Sequence, residues 1–252
     1  MSVIATPWMY PAKALLKILP EQVHLWRFSL QVSPETYQTL QTFLSVDELV
    51  RADRLLDPEK RRTFIIAKSR LRQLLAIYLD LLPEEIDFSY NQSGKPFLAV
   101  KSSSNLVFNL SHSGSRAILA VAIDADLGVD IEKIDFNLNF QSLATRYFTP
   151  EEIIKLREAS IVRQRRQFYR IWTRKEAVLK MIGSGFSAAE PSGEFLQNCC
   201  LKNTFFAGNY VSAIAINRRI TSILKFNIFE SEHDETHRSP LKAETAGGIT
   251  IV

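Results

Sequence analysis

Asp130 and Glu132 stand two apart in Gly128-Val129-Asp130-Ile131-Glu132. The alternation predicts a strand whose two carboxylates share one face, roughly 7 Å apart. Val129 and Ile131 then point to the opposite, buried side and set the register. Like charges placed this way invite a cation, or are simply two surface acids on an edge strand. Further on, Trp172-Thr173-Arg174-Lys175-Glu176-Ala177-Val178-Leu179-Lys180 puts Glu176 and Lys180 on one helical face. That spacing also describes an ordinary surface ion pair. The apolar neighbours Trp172, Ala177 and Leu179 favour a helix that carries Glu176 inward. Three carboxylates with open positions suit Mg²⁺, which keeps waters and takes its remaining oxygens from substrate phosphates.

Asn109-Leu110-Ser111-His112-Ser113-Gly114 follows a predicted strand with a cluster of small donors. His112 reads either as a ligand contact or as a turn histidine bonded to the backbone. Gly94-Lys95-Pro96 is a hairpin signal with a lysine at its tip. Other patterns fall away. His233 and His237 have the spacing of a zinc helix, but the first lacks an adjoining glutamate. No phosphate loop, dinucleotide fingerprint or serine hydrolase signature is present. Adjacent Cys199 and Cys200 are poorly placed for a disulfide and form no metal pattern.

A 46% hydrophobic composition in 252 residues describes a folded chain with a sizeable core. Net charge is +4, and basic residues crowd 51–72 and 163–180. They could serve phosphates or simply form solvated helix faces. Aromatics are not interleaved with them, so nucleic acid is not an expected partner. No apolar run approaches the roughly 20 residues of a spanning helix, and the start lacks a signal-peptide pattern. A cytoplasmic protein with no membrane partner is expected.

The positioning elements follow from periodicity. Residues 1–22, with Pro7, Pro11 and Pro20, read as an extended lead-in. A strand over 24–30 leads to helices started by Ser33-Pro34, Ser45 and Asp57-Pro58, the last running towards residue 82 with its basic residues outward. Short strands are predicted over 87–90, 107–110, 117–123 and 128–132. Helices resume over 138–147, 149–157 and 162–181 and stop at Gly183-Ser184-Gly185. Strands over 210–216 and 222–229 close the pattern, and 231–252 read as a disordered tail. Each half is helices followed by strands, and residues 116–123 faintly resemble 210–217, which suggests an internal duplication.

In this order and at these separations, FNLSHSG at 108–114, GVDIE at 128–132 and WTRKEAVLK at 172–180 resemble the Sfp-type phosphopantetheinyl transferases, cyanobacterial members included. The likeness runs from about residue 24 to 186 and takes in FLSVDELVRADR at 43–54 and GKP at 94–96. It implies an α+β fold of two similar subdomains related by a pseudo-twofold axis, each a small antiparallel sheet packed with helices. The corresponding boundaries are an N-terminal subdomain over 23–126 and a C-terminal one over 127–230. Coenzyme A would lie in the cleft between them. By matching motifs, the resemblance implies Asp130, Glu132 and Glu176 as Mg²⁺ ligands and Lys180 as a catalytic phosphate contact. It implies Lys95, Ser111 and His112 as coenzyme A contacts, with His112 near the 3'-phosphate. Arg51, Arg62 and Thr63 match further phosphate-binding positions. Glu48 departs from the pattern, standing where a lysine helps to hold that phosphate. In RYFTPEE at 146–152, Glu152 matches the acid suggested as general base.

The reaction so implied moves the 4'-phosphopantetheine of coenzyme A to a serine of an apo acyl or peptidyl carrier protein and releases adenosine 3',5'-bisphosphate. The carrier would belong to fatty acid, polyketide or nonribosomal peptide synthesis, and the enzyme would be a monomer. A serine hydroxyl is a poor nucleophile and a pyrophosphate repels attack, so phosphate charge must be neutralised and a proton removed. Two rivals are a non-catalytic module that binds coenzyme A or the carrier and a metal-dependent phosphohydrolase. The ordered motifs favour transfer over both.

Overall fold

A computed structural model describes residues 4–9, 16–99, 105–183, 197–205 and 208–228. The predicted tail at 231–252 and the Ser184-Gly185 stop lie outside them.

The chain repeats one topology. Strand β1 (Ile4–Met9) comes first. The first copy then runs β2 (Gln22–Ser29), α1 (Pro34–Gln41), α2 (Val46–Asp53), α3 (Pro58–Leu79), a small hairpin of β3 (Phe88–Tyr90) and β4 (Pro96–Leu98), then β5 (Leu106–Ser113) and β6 (Arg116–Ile123). The second copy runs β7 (Leu127–Lys133), α4 (Phe140–Tyr147), α5 (Pro150–Glu158), α6 (Ile161–Ile182), β8 (Cys200–Phe205) and β9 (Tyr210–Ile216), and β10 (Ser222–Ile228) follows. Apart from the hairpin, both copies read strand, three helices, two strands. Their sheets share one antiparallel order, β2-β6-β5 and β7-β9-β8. The long helices α3 and α6 are both 22 residues, and each ends on a left-handed residue, Asp80 or Gly183.

The local causes repeat as well. Ser45 and Thr149 cap α2 and α5, and in each case the glutamate at the third helical position reaches back to the cap's N–H. Those glutamates are Glu48 and Glu152. Both are tied to the fifteenth residue of the following long helix, Glu48 to Arg72 at 2.7 Å and Glu152 to Lys175 at 3.0 Å.

Four layers result. Trp26, Phe28, Leu119, Val121 and Phe226 cover one face of the first sheet and pack on Leu71, Leu74 and Leu75 of α3. Val23, Leu25, Ile118 and Ala120 cover its other face and meet Val129, Ile131, Ile214 and Ile216 of the second sheet. The far face of that sheet, through Ala213 and Ala215, packs on Ala177, Val178 and Met181 of α6. Burial on both faces of both sheets is what the continuous apolar runs of β6 and β9 require.

Three features differ from the expectation. The basic residues of α3 are not all outward: Arg70 and Arg72 are buried, and Arg72 donates to Glu48, Pro83 O and Ile86 O. Within the predicted lead-in, β1 pairs parallel to β10 at the sheet edge, with a register shift between Ala5 and Trp8 that accommodates Pro7. Beyond the 126/127 boundary, β10 lies between β1 and β2 in the first sheet. The two halves therefore share a strand.

Candidate active site

The site lies between β7 and α6. Gly128 sets their separation: a Cβ there would stand 2.0 Å from Ala177 O and 2.3 Å from Met181 N, so only glycine permits the approach. Asp130 and Glu132, two and four residues on, share that face of β7, while Glu176 and Lys180 look back from α6. Lys180 Nζ donates to Asp130 Oδ1 at 2.5 Å and to Ser111 Oγ at 2.8 Å. Ser111 Oγ donates to Asp130 Oδ1 at 3.0 Å, and Ser113 Oγ donates to Glu132 Oε2 at 2.8 Å.

The electrostatics fit three crowded carboxylates. Burial first, then Asp130, raises the Glu132 carboxyl above its ordinary value, against smaller opposing effects of Ser113 and Lys180. Glu176 is pushed up to about 7 by burial and by Asp130, with Lys180 opposing. Asp130 is only 3% exposed, and its Oδ2 has no hydrogen-bond partner among the described residues. A buried, partnerless carboxylate oxygen demands a cation or donor. Among the described residues no three His, Cys, Asp or Glu side chains converge into a preformed metal cage. A small hard cation that retains waters and shares its coordination with a pyrophosphate needs none. The donor set therefore fits Mg²⁺.

The other expected residues are placed as follows. His112 is exposed at the end of β5, where partial burial and Lys180 hold its imidazole below the ordinary value. Lys95 Nζ donates to Leu127 O at 2.9 Å and Met181 O at 3.0 Å, bracing the start of β7 and the last turn of α6. Arg62 donates to Val32 O at 2.6 Å and lies over the Tyr37 ring, so it packs α3 against α1. Arg51 is exposed, with its guanidinium 5.6 Å from the Phe64 ring centre. Thr63 is half-buried. Glu152 Oε2 accepts from Thr149 N–H at 2.9 Å and from Lys175. Asp130, Glu132, Glu176, Lys180 and Ser111 are thus brought together with His112 beside them; Lys95 is held by the carbonyls of β7 and α6 that flank the site, Glu152 by Thr149 and by Lys175 next to Glu176, and Arg51 and Arg62 pack on Phe64 and Tyr37. Sequence reasoning passed over Asn109 and Ser113. Their signal was small polar residues at every second position, 109, 111 and 113; the strand predicted over 107–110 in fact continues to Ser113 and puts all three on one face.

Comparison with known proteins identifies the family. Residues 29–124 match the family described as 4'-phosphopantetheinyl transferase, N-terminal, and residues 126–211 match the 4'-phosphopantetheinyl transferase superfamily. The chain is 39% identical over 184 residues to the 4'-phosphopantetheinyl transferase HetI of Nostoc sp., covering 73% of this chain and 77% of that one. It is 34% identical over 147 residues to a Synechocystis sp. protein provisionally named for the same activity, covering 58% and 60% of the two chains. It is 30% identical over 168 residues to the 4'-phosphopantetheinyl transferase psf-1 of Bacillus pumilus, covering 64% and 70%. With family matches on both halves and such a relative along most of its length, the chain belongs to the 4'-phosphopantetheinyl transferases, of the Sfp type with cyanobacterial relatives.

Proposed function

We propose that the protein transfers 4'-phosphopantetheine from coenzyme A to the serine of an apo carrier protein with the help of Mg²⁺, and releases adenosine 3',5'-bisphosphate. The observation that carries this reading is the meeting of Asp130 and Glu132 with Glu176 and Lys180 around a buried carboxylate oxygen that has no partner among the described residues. Asp130, Glu132 and Glu176 would hold the metal. Bound there, Mg²⁺ supplies charge neutralisation of the pyrophosphate.

Lys180 adds a second positive charge from one turn further along the helix and steadies the negative charge that builds on the phosphate oxygens. The serine oxygen forms a bond to the phosphorus that carries pantetheine, and the bond to the bridging oxygen of the leaving bisphosphate breaks. Glu152 is the candidate for taking the serine proton. Its Oε2 is fixed by Thr149 and Lys175, and its side chain is 24% exposed, against 8% for its twin Glu48. In both glutamates the cap N–H and the basic partner meet Oε2, so the greater exposure of Glu152 is what makes it the more accessible of the two to a serine hydroxyl. His112, exposed beside Lys180, is the candidate for the 3'-phosphate of coenzyme A, and its lowered basicity would be recovered on meeting that anion.

Among the described residues no helix is long and apolar enough to cross a membrane. A cytoplasmic monomer that meets carrier proteins in solution completes the proposal. The test is incubation with Mg²⁺, coenzyme A and an apo carrier, followed by weighing the carrier. A gain of one phosphopantetheine arm is expected. No gain, with coenzyme A intact, would mark a binding module, and hydrolysed coenzyme A with an unmodified carrier would mark a phosphohydrolase.

A further inference from the structure

Strand β7 is an edge strand: β9 pairs with one side of it, and β5 of the other sheet lies along the other. The N–H groups of Val129, Ile131 and Lys133 point away from β9, and the first two lie in a buried setting where an unpaired donor is costly. Backbone carbonyls of β5 do not meet them. They donate instead to side chains of β5: Val129 N–H to Asn109 Oδ1 at 2.8 Å, Ile131 N–H to Ser111 Oγ at 3.4 Å and Lys133 N–H to Ser113 Oγ at 3.1 Å. Three residues at a spacing of two thus form a side-chain ladder that takes the place of a backbone one.

Both serines do two things at once. Ser111 accepts the N–H of Ile131 and donates to the carboxylate of Asp130. Ser113 accepts the N–H of Lys133 and donates to the carboxylate of Glu132. A hydroxyl has one hydrogen and two lone pairs. With Lys180 Nζ also donating to it, Ser111 Oγ has no capacity left, and it is only 5% exposed. Its geometry is that of a clamp on Asp130, not of a contact that waits for coenzyme A.

We propose that Ser111 and Ser113 are positioning residues that fix the backbone and the carboxylate orientation of the two acids on β7, and that Asn109 holds the same strand by its backbone alone. This rests on the reading of Asp130, Glu132 and Glu176 as the metal site. Side chains that hold ligating carboxylates typically change metal affinity about 10- to 100-fold when they are removed.

The test follows free Mn²⁺ by its paramagnetic resonance signal while the full-length protein is titrated in the presence of coenzyme A, with thermal unfolding measured alongside. Ser113→Ala should weaken Mn²⁺ binding about 10-fold, and Ser113→Thr, which keeps the hydroxyl, should restore most of it. The KM for the carrier should stay unchanged in both. Asn109→Ala should lower thermal stability with a smaller loss of Mn²⁺ affinity, because it touches no carboxylate. Wild-type Mn²⁺ affinity in Ser113→Ala, with Asp130→Ala clearly impaired, would overturn the ladder's role and leave the metal site standing. Equal Mn²⁺ binding by wild type and Asp130→Ala would overturn the metal site and the ladder together.

Discussion

At Glu176, burial and Asp130 outweigh the pull of Lys180, and the carboxyl titrates at about 7 rather than 4.5. Between those values the folded protein holds a proton that the unfolded chain has released, so this group's contribution to stability falls as pH rises through the window. In a chelator, Glu176→Gln should therefore be more stable than wild type at pH 8, by about 1 kcal/mol for a half-buried group, and equal to it at pH 4. Urea unfolding at the two pH values measures this. Carrier modification by the same variant should fall by orders of magnitude. His24 works in the opposite sense. It is fully buried, bonded through Nδ1 to Tyr78 Oη at 2.7 Å, and burial lowers its pKa from 6.5 to about 4. Here the unfolded chain binds the extra proton, so stability is complete above pH 6.5 and is lost as pH falls towards 4. His24→Phe should flatten that acid limb in the same unfolding series. The sequence showed the acids of β7 by their spacing, but nothing local marks His24 for burial or ties Arg62 to packing. Both outcomes depend on Tyr78 and Val32, which are distant along the chain.

The two capping glutamates differ in how far they are sealed from solvent. Glu48 and Glu152 occupy the same place in the two copies, yet Glu48 is sealed against Arg72 while Glu152 stays partly open. Glu48→Ala should leave a buried guanidinium without its counter-charge, held only by the carbonyls of Pro83 and Ile86, and destabilise the protein by about 3 kcal/mol, measured by denaturant unfolding. Glu152→Gln keeps an acceptor for Thr149 N–H and should change stability little while slowing single-turnover transfer about 10²-fold. Equal stability losses in the two variants with unaltered transfer in Glu152→Gln would make Glu152 a cap alone. Most elements were legible because Ser33, Ser45, Asp57 and Thr149 announce their helices and the strands alternate. Strand β8 was not, because Cys200-Leu-Lys-Asn-Thr-Phe lacks a clean alternation and stands next to adjacent cysteines. Nor was β1, whose Pro7 argues against a strand until a bulge at the sheet edge accommodates it. Parallel pairing of β10 with both β1 and β2 joins residues some two hundred positions apart, which no local pattern encodes.

At the scale of the molecule, the duplicated topology has diverged in its chemistry. Register places Trp26 opposite Leu119 and Asp130 opposite Ala213, with Ser29 and Lys133 opposite the first residues of β6 and β9. Trp26 and Phe28 of the first copy thus correspond to Asp130 and Glu132 of the second. One copy fills the position with aromatic core and the other with charge. Gly128, which corresponds to His24, keeps the charged copy closed. Gly128→Ala would force β7 and α6 apart, and it should cost about 3 kcal/mol and lower transfer at the same time, read by unfolding and by the carrier assay.

The strand that crosses between the halves also sets an order of events. Residues 22–123 contain three of the five strands of the first sheet, and β2 has an unpaired edge until Ser222–Ile228 arrive beside it. During synthesis that edge is open to wrong partners for the whole time that the second copy is being made. At roughly 5–20 residues per second, the interval between β6 and β10 is on the order of five to twenty seconds. In that interval the nascent chain is most exposed to misassembly and to chaperones, and the protein closes its first half only by finishing its second.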